Sequence, residues 1–526
     1  MNIVVKNKEI FLIIFLLIFS ISFNQYYGNI GIQPIDSFFP FNSGYDVLNG
    51  MYPFKDYWTI TGPFIDLVQA LFFKIFGVSW FSYVLHASVF NFIFVIFFFH
   101  VLKKFKLNIF YCFLYSLFLS VLAYPSSGTP YVDHQSSYLS VMAVLCFILA
   151  LNTNSKLWWF ILPIIFGISF LTKQAPTAYV FIIVSFLSLV YFIFNFDLKK
   201  IIMGLTGSLL IISIFFFFIF LGKIPIMSFV HQYILFPMSF GSSRLEDGFL
   251  YPLEFERIIL RFKLIHLSGL ILVIVMIKNV IQNYKYFISN EFLSLFALVS
   301  LVFTLIAHQL MTINGIYIYF LIPILIGFSH IYFLKYFKEQ VYILYIIIFL
   351  GTSSTIYYGY KYVNKRNFAD LNNAKISRAI DAKYFDKKLS GLKWITPQYP
   401  ENPKIEMSKL KEAISIIKND NSNKAIVTDY QFISVILSIY DNSPNKVWYS
   451  FHVYPSKSDR YFDFYQKFFI KQIEKKKIQT FYTVKPLYGD NDVLKDILSE
   501  NCVSKIMLTD ILVKQEIKKC EQIKKD

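Results

Sequence analysis

Apolar runs of roughly 15 to 22 residues, joined by short polar or basic connections, fill the chain from its N-terminus to about Tyr358. That length is close to what an α-helix needs to cross a bilayer. The runs predict about eleven spans, near 9–24, 80–102, 109–124, 137–151, 157–172, 176–196, 201–221, 264–283, 291–310, 315–334 and 341–358. From 359 to 526 the pattern changes: the chain becomes polar and Lys-rich, and its apolar runs are too short to span. Lys424–Asp429 and Ile478–Val484 read as strands, and Met407–Ile417 and Asp492–Leu498 read as helices. Strands alternating with helices predict a small α/β domain. The expected fold is an α-helical polytopic membrane protein over 1–358, followed by a soluble α/β domain over 359–526. No internal repeat is visible, and the one linker-like stretch is the polar segment 361–390.

Composition agrees with this reading. Charged residues are only 16% of the chain, against about 25% in ordinary soluble proteins, which excludes a disordered chain and argues against a soluble enzyme. The net charge of +17 raises nucleic acid as a partner, but Lys is spread throughout and no basic face or aromatic-basic motif stands out. No nucleic-acid partner is therefore expected.

Basic residues in the short connections give an orientation. Lys6 and Lys8, Lys103, Lys104 and Lys106, Lys199 and Lys200, Lys278 and Lys285, and Lys335 and Lys338 all fall at alternate span ends. Placing these ends in the cytoplasm puts 25–79, 125–136, 222–263 and the C-terminal domain on the outer face. The first span resembles a signal peptide but lacks a small-residue cleavage site, so it reads as an anchor. Of the four cysteines, Cys112 and Cys146 lie in apolar runs, whereas Cys502 and Cys520 lie in the polar tail and can pair if that tail is extracytoplasmic.

The first outer loop, 25–79, is the most informative segment. It carries Asp36, Asp46, Asp56 and Asp66 and ends in an amphipathic helix, Phe64–Phe76, before Gly77. That helix is suited to the membrane interface. A carboxylate just after a span sits where a lipid-linked substrate presents its polar head, and there it can act as general base on an acceptor hydroxyl. The plainer alternative for Asp36 is a helix N-cap. For Asp56 it is a solvated loop charge, and Asp46 and Asp66 read as ordinary helix-face residues.

The order of an early Asp36, then Gly50-Met51-Tyr52-Pro53-Phe54-Lys55-Asp56-Tyr57-Trp58, then Gly62-Pro63, then a helix ending Ile75-Phe76-Gly77, resembles the first outer loop of GT-C glycosyltransferases. The resemblance is to the bacterial branch related to protein O-mannosyltransferases and lipid A aminoarabinose transferases. It covers the loop, the multi-span layout and the polar C-terminal domain. It implies that Asp36 is the catalytic base and that Asp56 and Tyr57 lie near bound substrate. Many members have an Asp-Glu pair where this chain has Asp36-Ser37.

Further candidates lie at the same face. Asp133 and His134, in the second outer loop, are suited to a sugar hydroxyl or a divalent ion, although one Asp and one His make a weak metal signal. The plainer alternative is a helix start before Ser136. The resemblance makes Asp133 a second acidic site residue. Lys173, in Thr172-Lys173-Gln174, lies on the side opposite to the other basic connections and is available to a lipid phosphate; snorkelling is the alternative. His231 and Arg244 lie in the long loop 222–263, and His308, Gln309 and Asn314 lie at the ends of the ninth and tenth spans.

The expected activity is transfer of a sugar from a polyprenyl-phosphate donor to a glycan, lipid or protein acceptor, at the outer face of the cytoplasmic membrane among its lipids. No cofactor is certain, and a divalent metal ion is compatible with the acidic residues. No nucleotide-binding glycine motif is present, as expected for a lipid-linked donor. The rival functions are a flippase of lipid-linked sugars, a polymerase or ligase of the O-antigen type, and a sensory protein working through its tail. A flippase predicts paired halves and interrupted helices.

Overall fold

The computed structural model describes residues 2–124, 128–239, 254–312, 318–440, 442–448, 453–487, 493–498 and 502–518. Among them, nine helices are long and apolar enough to cross a membrane: Asn7–Gly28, Trp80–Lys104, Val132–Asn152, Thr177–Phe194, Leu198–Gly222, Lys263–Gln282, Asn290–Thr312, Ile318–Tyr336 and Val341–Ala369. Two shorter apolar helices, Ile109–Leu122 and Leu157–Phe170, stand where two further spans are expected. The chain is thus a multi-pass helical membrane protein with a small sheet region near its C-terminus.

Helix Val132–Asn152 is the centre of the bundle, buried from Val132 to Leu151. Helices Trp80–Lys104, Leu157–Phe170, Thr177–Phe194 and Asn290–Thr312 pack around it. It begins five residues before the expected span at 137, so Asp133 and His134 lie in its first turn and not in a loop. Helix Leu198–Gly222 is peripheral: of its residues only Gly207, Ile219 and Gly222 are buried. A Cβ at Gly207 would stand 2.1 Å from the Phe160 carbonyl oxygen, so a hydrogen there is what lets this helix approach its neighbour.

The C-terminal domain holds a two-stranded ribbon, β1 (Ile380–Asp381) with β2 (Lys393–Trp394), and a four-stranded sheet. The sheet strands are β3 (Lys424–Thr428), β4 (Thr480–Val484), β5 (Val503–Met507) and β6 (Leu512–Ile517), in the order β3-β4-β6-β5. β3 and β4 are parallel, and the other pairings are antiparallel. The parallel pair is connected through helix Phe462–Lys476, as a crossover requires. β3 is buried along its whole length, with Ala425 and Val427 facing one apolar layer and Ile426 the other. The expected helices extend to Pro403–Asn419 and shorten to Val493–Ile497.

Both layers of this domain continue into the first loop. Ile32, Phe38 and Phe41 share a core with Trp394, Met407, Leu410, Phe432 and Leu512. On the other side Trp58 packs with Phe236, Tyr465 and Phe469, and its indole N–H donates to the Val453 carbonyl at 3.1 Å. Backbone bridges join Ile30 to Lys393 and Trp58 to Asn445. The loop is therefore fixed between the helical bundle and the C-terminal domain.

Candidate functional site

Asp36 lies in the short helix Pro34–Ser37. Pro34 suits the first turn because it has no N–H to satisfy there. The approach to this helix is pinned by buried Arg366, whose Nε donates to the Ile30 carbonyl at 2.8 Å and whose second guanidinium nitrogen donates to the Gly31 carbonyl at 3.2 Å. Gly31 has φ +64, a backbone conformation that side-chain-bearing residues rarely adopt, which is why glycine stands there. The N-cap of the Asp36 helix is Gln33 and that of the following helix Phe39–Leu48 is Phe38, neither with a side-chain cap bond. Asp36 thus caps neither helix and stands in the first turn of the Pro34–Ser37 helix.

The surroundings of Asp36 favour its neutral form. Burial comes first, followed by the negative charges of Asp133 and Asp429 and, more weakly, Asp370. The Tyr131 hydroxyl donates to the carboxylate and opposes them. The outcome is a carboxyl pushed up to about 7. That value is where a general base works best at neutral pH.

Asp133 is buried and ion-paired with Lys173, and His308 Nε2 stands 3.7 Å from the same carboxylate oxygen. His134 is buried with its ring stacked 5.5 Å from Tyr138. Lys173 lies on the turn after helix Leu157–Phe170, and its side chain keeps 21% of its surface exposed. This turn is braced against the first loop. The Gly62 N–H donates to the Thr172 carbonyl at 3.0 Å, the Phe64 N–H to Leu171 at 3.1 Å, and Gln174 Nε2 to Ile60 at 3.0 Å. A Cβ at Gly62 would stand 1.8 Å from the Leu171 carbonyl oxygen. Gly62→Ala is therefore expected to force loop and turn apart, costing about 1–3 kcal/mol and lowering the thermal midpoint of detergent-purified protein. An unchanged midpoint would show that the two backbones separate freely.

The remaining candidates have different surroundings. Asp56 is no solvated loop charge: one carboxylate oxygen accepts from the Tyr52 N–H at 2.9 Å and the other pairs with Lys475 at 2.7 Å. Tyr57 is buried, and its hydroxyl donates to Asp66 at 3.2 Å. Asp56 and Tyr57 join the loop to helix Phe462–Lys476 and to Asp66. Asp66 itself departs from the helix-face expectation. It is fully buried, accepts from Ser43 at 2.7 Å, and forms a closed ion pair with Lys446 at 2.7 and 2.8 Å. Asp46 is buried and accepts from Asn42 at 3.3 Å. His231 stacks on Phe464 at 4.1 Å, and its Nδ1 lies 2.8 Å from the Met227 carbonyl. Arg244 and Asn314 lie outside the described residues.

Asp36, Tyr131, Asp133, Lys173 and His308 thus form one constellation, with Asp370 and Asp429 in electrostatic reach. Tyr131 and Asp429 were not singled out from the sequence. A carboxylate ending a strand-like run, as in Lys424–Asp429, is the signal that marks the second. Near these positions in the chain, the side-chain carbonyls of Gln33, Gln135, Gln309 and Gln431 find no hydrogen-bond partner among the described residues. Among the described residues, no three His, Cys, Asp or Glu side chains are arranged to hold a metal ion. No protein-family model matches the chain, and no curated protein matches it.

Proposed function

We propose that this protein is a membrane glycosyltransferase of the GT-C type, moving a sugar from a polyprenyl-phosphate donor to a cell-envelope acceptor. The observation that carries this reading is Asp36: a loop carboxylate beside the first span that caps nothing, accepts from Tyr131 and is held near neutrality. In the reaction the acceptor hydroxyl oxygen attacks the anomeric carbon, and the bond from that carbon to the phosphate oxygen breaks. The acceptor proton passes to Asp36, the lipid phosphate leaves, and the anomeric centre inverts. Lys173, partly exposed and next to Asp133, is the cation for the leaving phosphate. Asp133, which His308 also faces, keeps Lys173 at its post.

On this reading the loop and the C-terminal domain face outward from the cytoplasmic membrane. The basic span ends support that orientation, as does Cys502, which is disulfide-bonded, a state favoured in oxidising compartments. Cys112 and Cys146 are free thiols, and Cys520 lies outside the described residues.

The test is purified protein in lipid nanodiscs, offered a panel of polyprenyl-phosphate sugars and envelope acceptors. Transfer from one donor supports the assignment. Movement of the lipid-sugar between leaflets without transfer would replace it with the flippase. Lys173→Met is expected to lower kcat/KM by roughly tenfold or more, because a charge-assisted contact to phosphate is lost. Unaltered kinetics in that variant would remove Lys173 from the phosphate.

A further inference from the structure

The C-terminal domain approaches the site in a specific way. β3 and β4 run parallel, and groups at the carboxyl ends of parallel strands commonly converge on a ligand. Asp429 is the first residue past the end of β3 and keeps only 7% of its surface exposed. Three residues later Phe432 opens helix Phe432–Ile436, and its ring lies 4.9 Å from that of Phe38. Phe38 in turn follows Asp36 by two residues. The carboxyl end of β3 is therefore set against the segment that carries the base.

We infer that the C-terminal domain completes the site by presenting Asp429 to Asp36, as a positioning residue whose negative charge tunes the base. This rests on the reading of Asp36 as the base. The groups that face Asp36 from the packed elements are Tyr131 and Asp133 from the bundle, Asp370 from the segment after the last span, and Asp429 from the domain. Lys173 already pairs with Asp133, whereas Asp429 comes from the C-terminal domain. The domain is thus a wall of the active centre and not a detached lid.

The experiment is the pH profile of transfer by the full chain, comparing wild type, Asp429→Asn and Asp429→Glu. Removing the charge is expected to move the acid-side midpoint down by about 0.5–1 unit, with donor KM within about twofold. Asp429→Glu keeps the charge and the midpoint. A purely structural Asp429 would lower the amount of active protein without moving the midpoint, and a fixed midpoint in Asp429→Asn overturns the inference. If that variant does not fold, Asp429→Ser makes the same comparison. The base reading fails separately: Asp36→Asn would then keep the wild-type rate and profile, and the inference would fall with it.

Discussion

On the proposed function, Asp36→Asn is expected to lower the rate of sugar transfer by roughly 10²–10⁴-fold, the range associated with loss of a general base. Donor binding is expected to survive, because the substitution keeps the volume and an oxygen able to accept from Tyr131 while removing the charge and the proton acceptance. The pH dependence carries the sharper signature. Burial and the charges of Asp133, Asp429 and Asp370 raise the Asp36 carboxyl to about 7. A base must be deprotonated to act, so wild-type kcat/KM is expected to rise with pH through about 7 and to level off above it. In Asp36→Asn that limb disappears, and the residual rate is flat across the same interval. Steady-state transfer between pH 5 and 9, measured with donor-binding controls, distinguishes the cases. Full activity in the variant would transfer the search for a base to Asp133.

Lys446→Met carries the largest expected effect on stability. Lys446 and Asp66 are fully buried, and the Lys446 ammonium also donates to Thr61 at 2.9 Å. Removing one member of a buried pair leaves a bare charge, at a cost of about 3–5 kcal/mol. Tyr57 and Ser43 still donate to Asp66, which softens the loss without replacing the cation. The double variant Lys446→Met with Asp66→Leu removes both charges, and buried pairs replaced by apolar side chains commonly lose little. The single variant is therefore expected to unfold at a markedly lower temperature and to release the C-terminal domain to protease, and the double variant to recover most of both. Equal destabilisation in the two would mean that packing around the lysine stem matters more than the charge.

The spans were legible because lipid demands long apolar runs, and that demand is local in the sequence. The helix Phe64–Phe76 was legible for a similar reason: its apolar periodicity stops at Gly77, where φ is +80. The start of helix Val132–Asn152 was hidden by its polar first turns, Asp133 to Ser137, which read as a loop and are in fact buried among other polar groups. The β5–β6 hairpin was missed because Lys505, Lys514, Gln515 and Glu516 break the apolar pattern of short, partly exposed strands. Asp36 stood out by its place after the first span, yet the groups that set its acidity lie about 100 to 400 residues further along the chain. No local pattern announces that Lys446 will meet Asp66.

The bridge from Trp58 to Asn445 has a consequence for biosynthesis. A loop made in the first fifth of translation finds its closing partners only when the chain is nearly finished. At roughly 5–20 residues per second, the loop waits tens of seconds beside inserted spans before its core can close. Contacts at such sequence separation also slow the final search. A nascent or prematurely terminated chain therefore exposes Phe38, Phe41 and Trp58 to water and to chaperones or proteases. Completion of the last strands, not insertion of the last span, is the event that turns the polypeptide into a working protein.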